Sequence, residues 1–121
     1  MDKDWVIRRA LWTTAFFNVL GAALFAFPAS LGMRAGFPAP APHLYTAFIA
    51  VLVLLFGGTY AWLASQPRID RPLVAFSALG KTSFFAVAFA CWILGEIPGR
   101  AVVAASGDLA FAAIFAWWLL G

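Results

Sequence analysis

Two ionisable residues lie inside stretches of the sequence that are otherwise apolar. Lys81 falls within the run over residues 73–94, and Asp108 falls within the run over residues 101–120. A charged side chain inside a bilayer is costly unless it is paired or hydrated, and it usually faces the interior of a helix bundle. The two residues therefore predict either a buried ion pair or a polar site for a ligand, an ion or a proton.

The depths of the two charges in the membrane bring them within reach of each other. With a rise of about 1.5 Å per residue, Lys81 lies about 12 Å from one side and Asp108 about 10 Å from the other. In a hydrocarbon core about 30 Å thick the two Cα levels are then about 8 Å apart, and the long lysine stem spans most of that gap. We therefore predict that Lys81 and Asp108 contact each other, directly or through one water.

Three further polar residues complete the candidate site. Asn18 lies near the middle of the first apolar run, about 18 Å deep, and so between the two charges. Tyr60 belongs to the second run, and Ser77 lies one turn before Lys81, where its hydroxyl bonds either the ammonium or a backbone carbonyl. Two interpretations stay open for the five residues: a structural polar core, in which each hydrogen bond contributes about 1 kcal/mol or less, or a ligand-binding site.

Motifs of the commoner catalytic and metal sites are absent from the sequence. The chain has one cysteine, Cys91, and one histidine, His43, so no Cys/His set has the spacing of metal ligands. It has no Gly-rich phosphate loop, no HExxH motif and no nucleophile elbow. We assign no catalytic residue, no metal site and no cofactor. The formal net charge of +3 comes from basic residues near helix ends, so we expect no nucleic-acid partner.

Four predicted transmembrane helices position these residues. The chain of 121 residues is 64% hydrophobic and 11% charged, whereas a soluble domain carries about 25% charged residues. A spanning helix needs about 20 mostly apolar residues, and four stretches meet or approach that length: residues 6–27, 44–64, 73–94 and 101–120. Short connections make successive helices antiparallel neighbours. We predict a single domain over residues 1–121, an all-α integral membrane four-helix bundle.

Two features are predicted for the connections at one end of this bundle. The Pro-Ala-Pro-Ala-Pro segment over residues 38–42 favours an extended polyproline conformation, and we expect it to be a rigid spacer across that end. Glu96 and Arg100 flank Pro98 in the last connection, where we expect them to form an interfacial ion pair.

The distribution of basic residues predicts the orientation. One side carries five of them, leaving out the intramembrane Lys81: Lys3, Arg8, Arg9, Arg68 and Arg71. The other side carries only Arg34 and Arg100. By the positive-inside rule both termini are cytoplasmic, and the chain is a multi-pass protein of the bacterial inner membrane.

A set of spaced residues in the last three helices resembles a pattern in small four-span bacterial membrane proteins of unknown function, and the general layout is similar to the DoxX-like group. These residues are Tyr60, Pro67, the run Arg71-Pro72-Leu73-Val74, Gly80-Lys81, Asp108 and Phe111. The resemblance covers about half of the chain. It implies an architecture rather than an activity. Some relatives of that class are subunits of quinone-linked membrane complexes, but this sequence carries no quinone or metal signature.

Three classes of function are compatible with these residues. The first is a bundle that binds or transports a small or lipophilic molecule around Lys81, Asp108 and Asn18. The second is an accessory subunit of a larger membrane complex, and the third is a membrane isomerase with Lys81 or Asp108 as acid or base. We rank them in that order. We also expect a homo-oligomer or a membrane complex, because small residues such as Gly57 and Gly58 permit close helix contact.

Overall fold

The structure is a computed structural model that describes residues 2–121, and those residues form helices without any strand. The helices are α1 (Lys3–Ala26), α2 (Met33–Ala35), α3 (His43–Ser65), α4 (Arg71–Ile93) and α5 (Gly99–Leu120), with a π-helical turn (Pro28–Gly32) before α2. Four of them, α1, α3, α4 and α5, are long and apolar enough to cross a membrane. The predicted all-α four-helix membrane bundle is confirmed.

Local capping explains where two of the long helices begin. The Asp2 carboxylate accepts a hydrogen bond from the Asp4 backbone N–H at 3.0 Å, and the Asp70 carboxylate accepts one from the Leu73 N–H at 3.0 Å. Each bond satisfies a backbone donor that has no partner within the first turn of a helix. Pro72 lies in that first turn of α4, where a missing N–H has no cost.

The four long helices are arranged as two hairpins. α1 packs along α3, α4 packs along α5, and α1 also touches α5. Successive helices pack closely within each hairpin, whereas α3 and α4 make few backbone contacts with each other. Side chains of the two helices do meet, since the rings of Phe56 and Phe76 lie 6.4 Å apart, centroid to centroid.

Two glycines permit the closest helix contacts inside the bundle. A Cβ atom at Gly57 of α3 would lie 3.0 Å from the Asn18 Cβ and 3.3 Å from the Ala15 carbonyl oxygen of α1. A Cβ at Gly107 of α5 would lie 2.7 Å from the Phe17 ring. Gly57 therefore acts within the chain, whereas its neighbour Gly58 has open space beside it.

The half of the bundle that carries the two termini is closely packed. Its apolar core is formed by side chains from all four long helices and from the connection before α4: Ile7, Ala10, Leu11, Ala15, Tyr60, Leu63, Ala64, Ile69, Val74, Phe115 and Trp118. The Trp118 indole N–H donates to the Asp4 carboxylate at 3.0 Å, which joins the C-terminal end of α5 to the N-terminal end of α1. We call this region the packed half.

Basic side chains cap the helix ends of the packed half. The Arg8 guanidinium donates to the backbone carbonyls of Ala64 and Pro67, at 2.8 Å each, at the C-terminal end of α3. Arg71 donates to the Leu119 carbonyl at the end of α5. The last carbonyls of a helix have no partner within it, so these arginines stabilise the helix ends as well as adding positive charge to one side.

The opposite end of the bundle differs from the prediction in two respects. Residues 38–42 bend at residues 39 and 40, so they do not form the single extended polyproline spacer that was predicted. Phe37 before them folds back onto the bundle, with its ring 5.3 Å from that of Phe25. The predicted Glu96–Arg100 ion pair is not formed within the described chain, because Arg100 donates instead to the Met33 carbonyl at 3.3 Å. The connection before α3 is therefore attached to the start of α5 through a backbone oxygen.

Candidate functional site

A buried ion pair joins α4 to α5 near the middle of the bundle. The Lys81 Nζ lies 2.8 Å from the Asp108 Oδ1, and the two side chains are 3% and 12% exposed. Because α4 and α5 pack side by side, the lysine stem reaches across one helix interface to the carboxylate. The contact predicted from the two depths is present, and it is direct.

Asn18 connects this ion pair to the other hairpin. Its Oδ1 accepts a hydrogen bond from the Lys81 Nζ at 3.2 Å, and its Nδ2 donates to the Val53 carbonyl of α3 at 3.0 Å. The missing side chain at Gly57 lets Asn18 lie directly against α3. One amide therefore links α1, α3 and α4, and we call Lys81, Asp108 and Asn18 the polar triad.

Three aromatic rings surround the lysine ammonium. The Lys81 Nζ lies 5.5 Å from the ring centroid of Phe17, 5.0 Å from that of Tyr60 and 5.4 Å from that of Phe111. Electron-rich ring faces attract a cation at such distances. Phe17 and Phe111 had no predicted role at this site, although Phe111 follows Asp108 by three residues and therefore shares its helix face.

The two remaining predicted residues lie beside the triad without bonding to it. Ser77 is buried, and its hydroxyl donates to the Leu73 carbonyl at 2.7 Å, so the backbone is its partner rather than the ammonium. Tyr60 is 4% exposed and belongs to the apolar core of the packed half. Both also border the open space above the triad.

A cavity of about 610 Å³ extends from the polar triad toward the end of the bundle opposite the termini. Its walls are almost wholly apolar and come from all four long helices; they include Phe17, Leu24, Phe25, Ile49, Leu52, Val53, Phe56, Phe76, Phe84, Val87, Ala88, Ala104 and Ala105. The triad and Tyr60 form its floor. The cavity is therefore partly open, with apolar walls and one polar end.

The cavity is bounded differently at its top and along its side. Phe37 and Pro38 from the first connection and Glu96 and Ile97 from the last one lie at the top. Along the side, the cavity borders the gap between α3 and α4, where wall residues such as Leu52 and Val87 are largely exposed at the surface of the bundle. That surface faces lipid when the helices span a membrane, so the bilayer itself has access to the cavity.

The described residues offer the cavity few reactive groups besides the triad. Cys91, the only cysteine of the chain, lines it and is partly buried. Residues 2–121 contain no cluster of three His, Cys, Asp or Glu side chains that could hold a metal ion. These residues therefore provide hydrogen bonding and charge at the floor, one carboxylate at the top, and apolar contact and one thiol along the walls.

The chain was compared with known proteins in three ways. Neither protein-family models nor curated proteins nor solved structures gave any match to the chain.

Proposed function

We propose that this protein binds a small lipophilic molecule inside the membrane, with the polar end of the molecule at Lys81, Asp108 and Asn18. One observation carries the proposal: an apolar cavity of about 610 Å³ ends on a buried polar triad. Binding sites for small molecules commonly have volumes of about 300–1,000 Å³ and combine apolar walls with a few polar groups that fix orientation.

The surroundings of the cavity support binding more than transport. Below the triad, the packed half fills the bundle with side chains such as Leu11, Leu63 and Phe115, which are fully buried. A transported molecule would need a path through this region, whereas a bound one needs only the gap between α3 and α4. A lipophile reaches that gap by diffusing within the bilayer, without crossing water.

The membrane and the orientation belong to the same proposal. We place the chain in the bacterial inner membrane with both termini in the cytoplasm, on the basis of the five basic residues at one end and of the DoxX-like resemblance. Reporter fusions after residue 121 and near residue 38 test the orientation. A reporter after residue 121 that is active only in the periplasm would reverse it.

Purification from native membranes in several mild detergents, followed by native mass spectrometry, tests the binding function. We expect a lipophilic small molecule to remain bound and to be enriched over its share of the membrane lipids. Added back to delipidated protein, it should slow the alkylation of Cys91 by an apolar thiol reagent, because that residue lines the cavity. Bulk lipids in membrane proportions, with unchanged Cys91 reactivity, would contradict the proposal.

The same spectra test whether the chain works in an assembly. We expect a homo-oligomer or a complex with another membrane chain. A second chain in constant stoichiometry, with an empty cavity, would favour the accessory-subunit alternative. A monomer in every detergent would contradict the assembly.

A further inference from the structure

Hydrogen-bonding capacity remains unused at the floor of the cavity. An ammonium group has three N–H donors, and Lys81 uses two of them, toward the Asp108 Oδ1 and the Asn18 Oδ1. No acceptor within residues 2–121 takes the third. The Asp108 carboxylate likewise accepts only at its Oδ1, and its side chain, 12% exposed, borders the cavity. A free donor and a free acceptor therefore lie side by side.

The charge at the floor disfavours a charged ligand group. Lys81 and Asp108 neutralise each other across 2.8 Å, so the site has no net charge to offer. An anionic group would approach the Asp108 carboxylate and, at the top of the cavity, Glu96. A cationic group would approach the Lys81 ammonium, and either charge would lose its hydration inside apolar walls. The polar end of the ligand is therefore uncharged.

An uncharged group that fits both free positions must donate and accept hydrogen bonds at neighbouring points. A hydroxyl group does this with one oxygen, since it accepts from an N–H and donates its own proton to a carboxylate. An ether or a ketone accepts only, and it would leave the second Asp108 oxygen without a donor.

We propose that the cavity takes an uncharged lipophile that carries a hydroxyl group, with the hydroxyl oxygen between the Lys81 Nζ and the Asp108 Oδ2. This inference rests on the proposed binding function and specifies its ligand class. The apolar remainder of the ligand lies along the phenylalanine-rich walls and leaves through the gap between α3 and α4 if it is longer than the cavity. Long-chain alcohols and prenols have this chemistry.

A matched set of photoreactive lipophiles tests the ligand class. Four probes share one diazirine-bearing chain and differ in the end group: hydroxyl, methyl ether, carboxylate or amine. The protein is reconstituted in lipid nanodiscs and irradiated with each probe, and labelled peptides are mapped by mass spectrometry. Only labelling that is suppressed by an excess of the same lipophile without the diazirine is counted. We expect the alcohol to label cavity-lining peptides at concentrations about tenfold lower than the ether, as expected for one hydrogen bond to a charged group.

The outcomes separate this inference from the function on which it rests. Equal labelling by alcohol and ether, or stronger labelling by the carboxylate or the amine, would overturn the ligand class and leave the binding function standing. No suppressible labelling of the cavity by any probe would overturn both. In the Lys81→Met/Asp108→Leu double variant, labelling by the alcohol should fall to the level of labelling by the ether. A preference that persists in this variant would also overturn the assignment of the hydroxyl to the triad.

Discussion

The two halves of the bundle are built from the same helices but are filled differently. In the packed half, large side chains from all four helices meet, and Leu11, Leu63 and Phe115 have no exposed surface. In the other half, α3 and α4 make few backbone contacts, and side chains of all four long helices line an open cavity of about 610 Å³. Protein interiors normally contain few voids larger than a water molecule, so the packed half has an ordinary interior and the other half does not.

The polar triad lies at the boundary between the two halves. Asn18 crosses from α1 to α3 and α4, and Lys81 crosses from α4 to α5, so the triad links both hairpins where the close packing ends. The same three side chains therefore have two positions at once. Their hydrogen bonds link the two hairpins, and their polar groups border the cavity.

Breaking the ion pair should have the largest effect on stability. Asp108→Asn leaves the buried Lys81 ammonium without its counter-charge, and we expect a loss of about 3–5 kcal/mol in the free energy of unfolding. Denaturant or thermal unfolding in detergent measures it. The Lys81→Met/Asp108→Leu double variant removes both charges and should recover much of that loss. If the double variant loses as much stability as the Lys81→Met and Asp108→Leu single variants together, the two residues are not coupled.

Replacing one leucine by alanine in each half should lower the free energy of unfolding more in the packed half than in the half with the cavity. Leu63→Ala removes a fully buried side chain, and we expect a loss of about 2 kcal/mol, from lost packing and from the void left behind. Leu52→Ala, in the wall of the cavity and 53% exposed, should change stability by about 0.5 kcal/mol or less. Unfolding curves for the two variants test the difference, and equal losses would remove the distinction between the halves.

Two adjacent glycines test the close contact that places Asn18. Gly57→Ala puts a methyl group against α1, and we expect a loss of about 1 kcal/mol together with weaker ligand binding, because Asn18 must shift. Gly58→Ala meets nothing and should leave stability unchanged or slightly raised. Thermal melts of the pair make the comparison. A larger loss at Gly58 would indicate that this face lies in an interface with another chain.

Much of this architecture follows from the sequence, and the reasons are simple. Apolar length and proline positions predicted the four helices, whose ends lie within three residues of the observed ones. Helix rise gave the depths of Lys81 and Asp108, and the short turn before α5 made their helices neighbours, so the ion pair could be predicted as well. We assigned Asn18 to the same site only because its depth in the membrane lies between those of the two charges.

Features that depend on rotation and tilt of the helices could not be predicted in the same way. Depth along a helix does not tell which face meets which neighbour, so the rings of Phe17 and Phe111 around Lys81 were missed. The cavity arises because α3 and α4 separate, and the sequence carries no periodic signal for a void. Arg100 bonds to a carbonyl of α2 because the first connection folds back, which the prolines of residues 38–42 did not indicate.

The most direct test of the account fills the cavity and measures binding. Gly80 of α4 lines the cavity, and a Cβ there meets no atom within 4 Å. Gly58 of α3 has equally open surroundings but does not line the cavity. We therefore compare Gly80→Leu with Gly58→Leu for suppressible labelling by the photoreactive alcohol. We expect Gly80→Leu to weaken labelling by about tenfold or more and Gly58→Leu to be labelled like the unsubstituted protein. Undiminished labelling of a correctly folded Gly80→Leu protein would contradict it, because the lipophile would then bind outside the cavity.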